Sequence, residues 1–278
     1  MARTVSRRRR DLGKHLAIWL LLAGQLFPLY MVLQISLKDN AQFIQSPWTP
    51  PAPATWHGGN YVYAARLMLP FVANTIFVAV LGTLGSLAVA LAGAYFFARY
   101  RMPLARPLWA AFVLLLLMPT VMNIVPLFSE LRQLNLLNTL AALILVGIAG
   151  TQAFNIYVLR NFVEDIRRDL FEAAEIDGAS HFRQLIHVAL PMSLPILGTL
   201  GIVTFLGLWN DFLLPLIVLR DPQSFTIGVG LIYLEAEYVK EWGRIMASYM
   251  VASAPVILLF LFTMKWFIRG LTAGAIKG

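Results

Sequence analysis

Six long apolar stretches determine what this chain can fold into. Each is long enough for an α-helix to cross about 30 Å of hydrocarbon, which takes roughly 20 residues. The stretches cover residues 16–37, 72–98, 108–128, 139–159, 196–219 and 250–267. Because a helix satisfies its own backbone hydrogen bonds inside a bilayer, the sequence predicts an all-α integral membrane protein with six transmembrane helices.

The composition supports this class. Hydrophobic residues make up 59% of the 278 residues, charged residues make up 13%, and the mean hydropathy is +0.72. A soluble domain is about half apolar and about a quarter charged. The chain contains no cysteine, which excludes disulfides, thiolate chemistry and cysteine-based metal sites.

The basic residues predict the orientation of the chain. If the N-terminus is cytoplasmic, most of the 22 basic residues fall on the cytoplasmic side, namely Arg3, Arg7, Arg8, Arg9, Arg10, Lys14, Arg99, Arg101, Arg106, Arg160, Arg167, Arg168, Arg183, Lys265, Arg269 and Lys277. The opposite side holds Lys38, Arg66, Arg132, Arg220, Lys240 and Arg244. The positive-inside rule therefore predicts that both termini are cytoplasmic. The basic N-terminal tail indicates topology and contact with lipid phosphates rather than nucleic-acid binding.

Catalytic and energy-coupling motifs are missing from the sequence. No Gly-x-x-x-x-Gly-Lys-Ser/Thr phosphate loop occurs, and the four histidines do not have the His-Glu-x-x-His spacing of a zinc site. We therefore predict no catalytic residue, no metal site and no cofactor held by this chain. One carboxylate inside a span and no evident internal repeat also argue against an ion-driven carrier.

That carboxylate is Asp211, which follows Trp209 and Asn210 within the fifth predicted span. An intramembrane acid is a candidate functional residue. The three side chains could line a path for a polar solute, or Asp211 could anchor one helix to another near the outer interface. Both interpretations remain open at this point.

Small residues recur every four positions along the second predicted span. They are Gly82, Ser86, Ala90, Ala94 and Ala98. Such a stripe lets another helix backbone approach closely, so it predicts helix packing rather than a pore lining.

A polar loop between the fourth and fifth spans carries helix signals. Asp169 lies three residues before Glu172, as a capping pair would, and Gly178 is placed to end a short helix. The charge bias puts this loop in the cytoplasm. A structured cytoplasmic helix-turn-helix in a membrane protein predicts docking onto another protein.

The loop resembles the EAA loop of the permease subunits of bacterial ABC importers. The family pattern is Glu-Ala-Ala, three residues, Gly, nine residues, an apolar residue, one residue and Leu-Pro. This chain matches it at Glu172, Ala173, Ala174, Gly178, Val188, Leu190 and Pro191. Residues 209–212, 226–231 and 267–278 further resemble the maltose-type carbohydrate importers, and the tail resembles their second permease. The resemblance covers residues 72–278.

The resemblance implies a type I permease fold and a set of partners. These partners are a homologous permease, two ATP-binding subunits that hold ATP and Mg²⁺, an extracytoplasmic substrate-binding protein and membrane lipid. It also implies a location in the bacterial inner membrane.

The resemblance assigns roles to residues as well. The EAA loop, with Asp177 included, would couple the chain to the ATPase. The C-terminal tail would contact the ATPase through Arg269, Gly270, Leu271, Thr272, Gly274 and Lys277.

We accordingly divide the chain into a basic tail (1–15), a first helix with its outer loop (16–71), a permease core (72–267, with the EAA loop at 165–191) and a C-terminal tail (268–278).

The expected function is import of a sugar or oligosaccharide. Alternatives are import of a glycerol phosphodiester or an amino-sugar compound and, with less support, a channel or receptor subunit or a membrane enzyme.

Overall fold

The computed structural model describes residues 2–100, 103, 105–118, 120–236 and 240–275, with side-chain surroundings for all of these except 2–12, 105, 120–121 and 263–275. Within these ranges there is no β-strand. The α-helices are α1 (Ala2–Ser36), α2 (Asn40–Gln45), α3 (Gly59–Arg99), α4 (Ala105–Leu114), α5 (Ile124–Gln133), α6 (Leu140–Gly150), α7 (Gln152–Asp165), α8 (Arg168–Ile176), α9 (His181–Gln184), α10 (Leu190–Asn210), α11 (Leu213–Val218), α12 (Ile227–Glu235) and α13 (Trp242–Ala275).

Four helical segments among the described residues are long and apolar enough to cross a membrane. They are Gly13–Ser36, Gly59–Arg99, His181–Asn210 and Trp242–Phe262. The pair of α6 and α7, which meet at an angle of 44°, adds a fifth if the two helices together make one span. An all-α membrane protein is therefore confirmed, although the third predicted stretch is not one continuous helix.

The third stretch, 108–128, is broken where its sequence contains proline. Helix α4 continues into a 3₁₀ turn at Leu115–Leu117, and Met118 then has extended backbone (φ −80°, ψ 123°). The residue before a proline is pushed out of the helical region by the proline ring, and Met118 precedes Pro119 in the sequence. A new helix, α5, begins at Ile124.

The fifth stretch also has different bounds from those predicted. Here α9, a π-helical turn and α10 follow one another without a break and form one helical segment. This segment begins at His181 rather than at residue 196, and it ends at Asn210 rather than at residue 219. Asp211 follows with extended backbone (φ −69°, ψ 121°). Its Oδ1 accepts a hydrogen bond from the backbone N–H of Leu214 at 3.4 Å. A short acidic side chain that bonds nearby backbone in this way competes with helix continuation.

The chain divides into two compact units, Met1–Pro70 with Leu231–Leu261, and Phe71–Gly230 with Phe262–Gly278. In the first unit, polar side chains fix the end of α1. Asn60 Nδ2 donates to the carbonyl oxygens of Ser36 (2.9 Å) and Lys38 (2.8 Å). The Lys38 ammonium donates to Ser46 O at 2.6 Å, and burial lowers the pKa of this ammonium from its usual value. Asn40 Oδ1 accepts from the N–H of Trp242 at the start of α13 (2.9 Å).

The second unit is organised around the small-residue stripe of α3. Gly82, Ser86, Ala90 and Ala94 are buried, and a β-carbon at residue 82 would lie 2.6 Å from Leu208 Cδ1. The predicted packing role of the stripe is confirmed.

A buried polar network lies beside the stripe, where the pair α6–α7 bends. The hydroxyls of Ser86 and Thr151 are 2.6 Å apart, and Asn155 Nδ2 donates to Ser86 Oγ (2.9 Å) and Thr204 Oγ1 (3.1 Å). These bonds satisfy polar groups that would otherwise be costly in an apolar interior.

Candidate functional site

The loop that carries the EAA pattern is held in place by Phe171. This side chain is 0% exposed and belongs to a cluster that includes residues of α3, α7 and α10, among them Tyr95, Leu159 and Leu200. The Arg99 guanidinium lies 3.9 Å from the centre of the Phe171 ring, a distance at which a cation is attracted to the ring face. Helix α8 is therefore attached to the membrane helices by its buried face.

Gly178 ends this helix as the sequence predicts. Its φ of +77° is in the left-handed region, where glycine has no steric cost. The N–H of Gly178 donates to Glu175 O (2.9 Å) and the N–H of Ala179 donates to Ala174 O (2.8 Å). This pair of bonds defines a Schellman motif. Asp177 is the exposed C-cap residue immediately before it.

The predicted capping pair at the start of α8 is wrong. The N-cap residue is Arg167, with no side-chain capping bond, and Asp169 lies inside the first turn. Asp169 accepts a hydrogen bond from the Arg167 guanidinium at 2.5 Å. A carboxylate in the first turn still interacts favourably with the positive end of the helix dipole, so Asp169 supports the helix by charge rather than by capping.

The opposite face of α8 is open to solvent and partly apolar. Glu172 and Ala173 are exposed, and Ala174 is half-buried. Ile176 is 87% exposed, and Phe182 at the start of the next helix is 71% exposed. We call Glu172, Ala173, Ile176 and Phe182 the docking face. Exposed apolar surface of this kind is typical of contact with another protein or with lipid.

The remaining residues of the pattern form the junction with α10. Val188 is half-buried within a π-helical turn at Leu185–Ala189, in which the N–H of Leu190 donates to Leu185 O. Pro191 stands at the start of α10. Proline lacks an N–H, and in an α-helix its ring clashes with the carbonyl four residues earlier. The wider π-helical turn before Pro191 makes room for the ring. π-turns of this kind are frequent at functional sites.

The candidate path residues lie at the far end of α10. Trp209 is buried, and its ring stacks on Phe205 with centroids 5.7 Å apart. Asn210 is exposed, and its Nδ2 donates to Leu206 O of its own helix (2.9 Å). With Asp211 bonded to Leu214 N, each of these side chains has a contact within its own segment. A path for solute through them stays a prediction.

The C-terminal tail can be described only in part. The backbone of Arg269, Gly270, Leu271, Thr272 and Gly274 continues α13, which ends at Ala275. Their side chains lie outside the described residues, as does Lys277. The predicted tail contact with the ATPase stays a prediction.

Sequence reasoning missed two residues of the site. Tyr95 on α3 and Gln184 on α9 are buried and hydrogen-bonded to each other. The two residues are 89 positions apart, so no local pattern relates them. The only available signal was a tyrosine near the end of the second predicted span.

These features define an integral membrane protein whose surface helix is anchored on the membrane helices and exposes a docking face. The chain belongs to the family described as the binding-protein-dependent transport system inner membrane component, which matches residues 90–273.

Named relatives agree along nearly the whole chain. A Pyrococcus horikoshii protein named as a probable ABC transporter permease is 35% identical over 274 residues, 97% of this chain and 99% of the relative. The sulfoquinovosyl glycerol transport system permease of Agrobacterium fabrum is 33% identical over 269 residues, 95% of this chain and 93% of the relative.

A crystal structure supports the fold. It is that of a bacterial ABC transporter involved in the import of the acidic polysaccharide alginate, and one of its chains matches with a TM-score of 0.82 and 22% identity. The match covers 94% of this chain and 98% of that chain. At this level of identity the likeness concerns the fold alone.

The resemblance drawn from the EAA loop is thus confirmed. The chain is a transmembrane permease subunit of a binding-protein-dependent ABC importer, a transport component and not an enzyme. Within the part of the chain that is described, no group of three or more His, Cys, Asp or Glu could hold a metal ion.

Proposed function

We propose that the solute is a sugar or oligosaccharide. One named relative supports this class, since it is the permease of a sulfoquinovosyl glycerol transport system. In the proposed assembly, a homologous permease and this chain enclose the path, and an extracytoplasmic binding protein delivers the sugar. Two ATP-binding subunits hold ATP and Mg²⁺. Titration of the binding protein with a panel of sugars checks the solute class.

The docking face is where this chain would meet an ATP-binding subunit. The observation that supports this most directly is the contrast within α8, in which Phe171 is fully buried while Glu172, Ala173 and Ile176 are exposed. The small side chain of Ala173 allows a partner backbone to approach closely. The Glu172 carboxylate would pair with a basic group of the partner, and Ile176 with Phe182 would bury apolar area.

The orientation that fits this role places α8 and both termini in the cytoplasm of a bacterial inner membrane. It follows from the distribution of Lys and Arg along the chain. In this orientation the C-terminal end of α13 is on the same side as the docking face, where the tail would reach between the two ATP-binding subunits.

Replacement of Gly178 tests the coupling role. We expect Gly178→Asp to uncouple ATP hydrolysis from transport in the reconstituted importer, because it adds a negative charge next to the docking face. A β-carbon at residue 178 would meet nothing within 4 Å, so the added side chain would not clash within this chain and would act through its charge on the proposed partner. Uptake of labelled sugar and ATP hydrolysis are measured in the same vesicles.

Gly178→Asn is the matched control, since the asparagine side chain has nearly the same shape as aspartate but carries no charge. Asn and Asp both tolerate the left-handed conformation, which costs other residues about 1–2 kcal/mol. Uncoupling by Asp but not by Asn would indicate a charge effect at an interface. Sugar uptake that is unchanged in Gly178→Asp would contradict the proposed docking role.

A further inference from the structure

A hydrogen-bonded chain connects α3 to the helix-turn-helix behind the docking face. Tyr95 on α3 is 4% exposed, and Gln184 at the end of α9 is 2% exposed. The Tyr95 hydroxyl donates to Gln184 Oε1 at 2.9 Å. The same hydroxyl oxygen lies 3.0 Å from Nδ1 of His181, the first residue of α9.

The direction of these bonds follows from the single hydroxyl proton of Tyr95. Because that proton is used on Gln184 Oε1, the Tyr95 oxygen accepts from the N–H at Nδ1 of His181. Gln184 Nε2 in turn donates to Ala179 O (3.3 Å) and to Glu175 Oε1 (3.4 Å). One amide side chain therefore joins a membrane helix to the turn after Gly178 and to the last turn of α8.

Aromatic contacts surround these bonds. The ring of Tyr95 lies 6.2 Å from that of Phe171, and the ring of Tyr100 lies 4.5 Å from that of His181. These contacts are specific in geometry and add to the energy of burial. The α8–α9 turn is thus held to α3, and to Tyr100 just after it, by hydrogen bonds and by aromatic contacts.

We propose that Tyr95 and Gln184 are positioning residues for energy coupling, which we call the Tyr95–Gln184 latch. The inference rests on the proposed coupling role of α8. A partner that displaces the docking face moves the membrane helices only if α8 is rigidly connected to them. The latch supplies this connection, because buried and fully paired hydrogen bonds strongly favour one arrangement. Without it, part of the displacement is lost as local motion of the turn.

The test is Tyr95→Phe in the complete reconstituted importer. This change removes the hydroxyl and keeps the ring on Phe171. We expect sugar transported per ATP hydrolysed to fall by up to about tenfold, which corresponds to the loss of one buried hydrogen bond. Hydrogen exchange of the α8 amides should rise by a similar factor, whereas co-purification with the ATP-binding subunit should not change.

Tyr100→Phe is the matched control, since it removes a hydroxyl from the same end of α3 but leaves the latch intact. A second comparison sets the double variant Tyr95→Phe/Gln184→Met against Gln184→Met alone. If the two side chains act through their shared bond, Tyr95→Phe should lower transport per ATP less in the Gln184→Met background than in the wild-type chain. Equal transport per ATP in Tyr95→Phe and Tyr100→Phe would overturn the proposal, even if α8 exchange differs.

Failure of the proposed function has a different signature. In that case the wild-type chain would not co-purify with an ATP-binding subunit, or hydrolysis in its complex would not respond to the binding protein. The latch would then have no partner motion to transmit and would be overturned as a coupling device. A coupled wild-type importer with an unaffected Tyr95→Phe variant would overturn the latch alone.

Discussion

At the scale of single residues, Gly243 illustrates how tightly the end of α1 is enclosed in its unit. This glycine is in the first turn of α13, opposite the carbonyl of Lys38. A β-carbon there would overlap Lys38 O and would lie 2.5 Å from Asn60 Nδ2. Asn60 is also the donor to Ser36 O and Lys38 O, so one added methyl would disturb the bonds that fix the end of α1.

We therefore expect Gly243→Ala to destabilise the chain by about 1–3 kcal/mol, the usual cost of overpacking. The measurement is the midpoint of thermal unfolding of the purified protein. Gly59→Ala is the matched control, because Gly59 also begins a helix and a β-carbon there would meet nothing within 4 Å. Equal midpoints for the two variants would show that the Lys38 carbonyl can move away without cost.

At the scale of elements, sequence and structure agree where one residue decides the conformation. Gly178 ends α8 because a left-handed residue is needed there, and the sequence signals this need. Asp169 does not cap α8, because an aspartate is also favourable inside the first turn of a helix, where it interacts with the helix dipole. The latch joins residues 89 positions apart, so local patterns could not reveal it. The end of α10 at Asn210 accompanies a local bond between Asp211 and the N–H of Leu214, which the continuous apolar run from residue 196 to residue 219 concealed.

The attachment of α8 can be tested through Phe171. We expect Phe171→Ala to weaken the packing of α8 by about 3 kcal/mol, as for other buried phenylalanines. Trypsin cleavage after the exposed Arg167 and Arg168 should then be faster by about two orders of magnitude, because cleavage follows the population of the open form. Gel electrophoresis of timed digests gives the rates.

The control for this experiment is Leu170→Ala. Leu170 is the adjacent residue and is exposed, so its truncation leaves no comparable cavity. Similar digestion of both variants would mean that Phe171 does not hold α8 against the membrane helices.

At the scale of the whole molecule, the number of spans and the orientation constrain each other. The described residues provide four continuous spans and one bent pair. Five crossings would put the termini on opposite sides of the membrane, whereas the basic residues favour the same side. The number of crossings agrees with the charge distribution only if the broken segment from α4 to α5 also crosses the membrane. This gives the six crossings predicted from the sequence.

Single cysteines distinguish five crossings from six, and the chain has no native cysteine to remove. The sites are Ile44 after α1, Leu134 after α5 and Ile176 in α8, all with exposed side chains. With an impermeant maleimide on intact cells that express this chain without the ATP-binding subunits, six crossings predict labelling of Ile44→Cys and Leu134→Cys, and labelling of Ile176→Cys only after permeabilisation. If α4–α5 does not cross, Leu134→Cys is protected and Ile176→Cys is labelled from outside. That result would place the docking face away from cytoplasmic ATP and would contradict the proposed coupling.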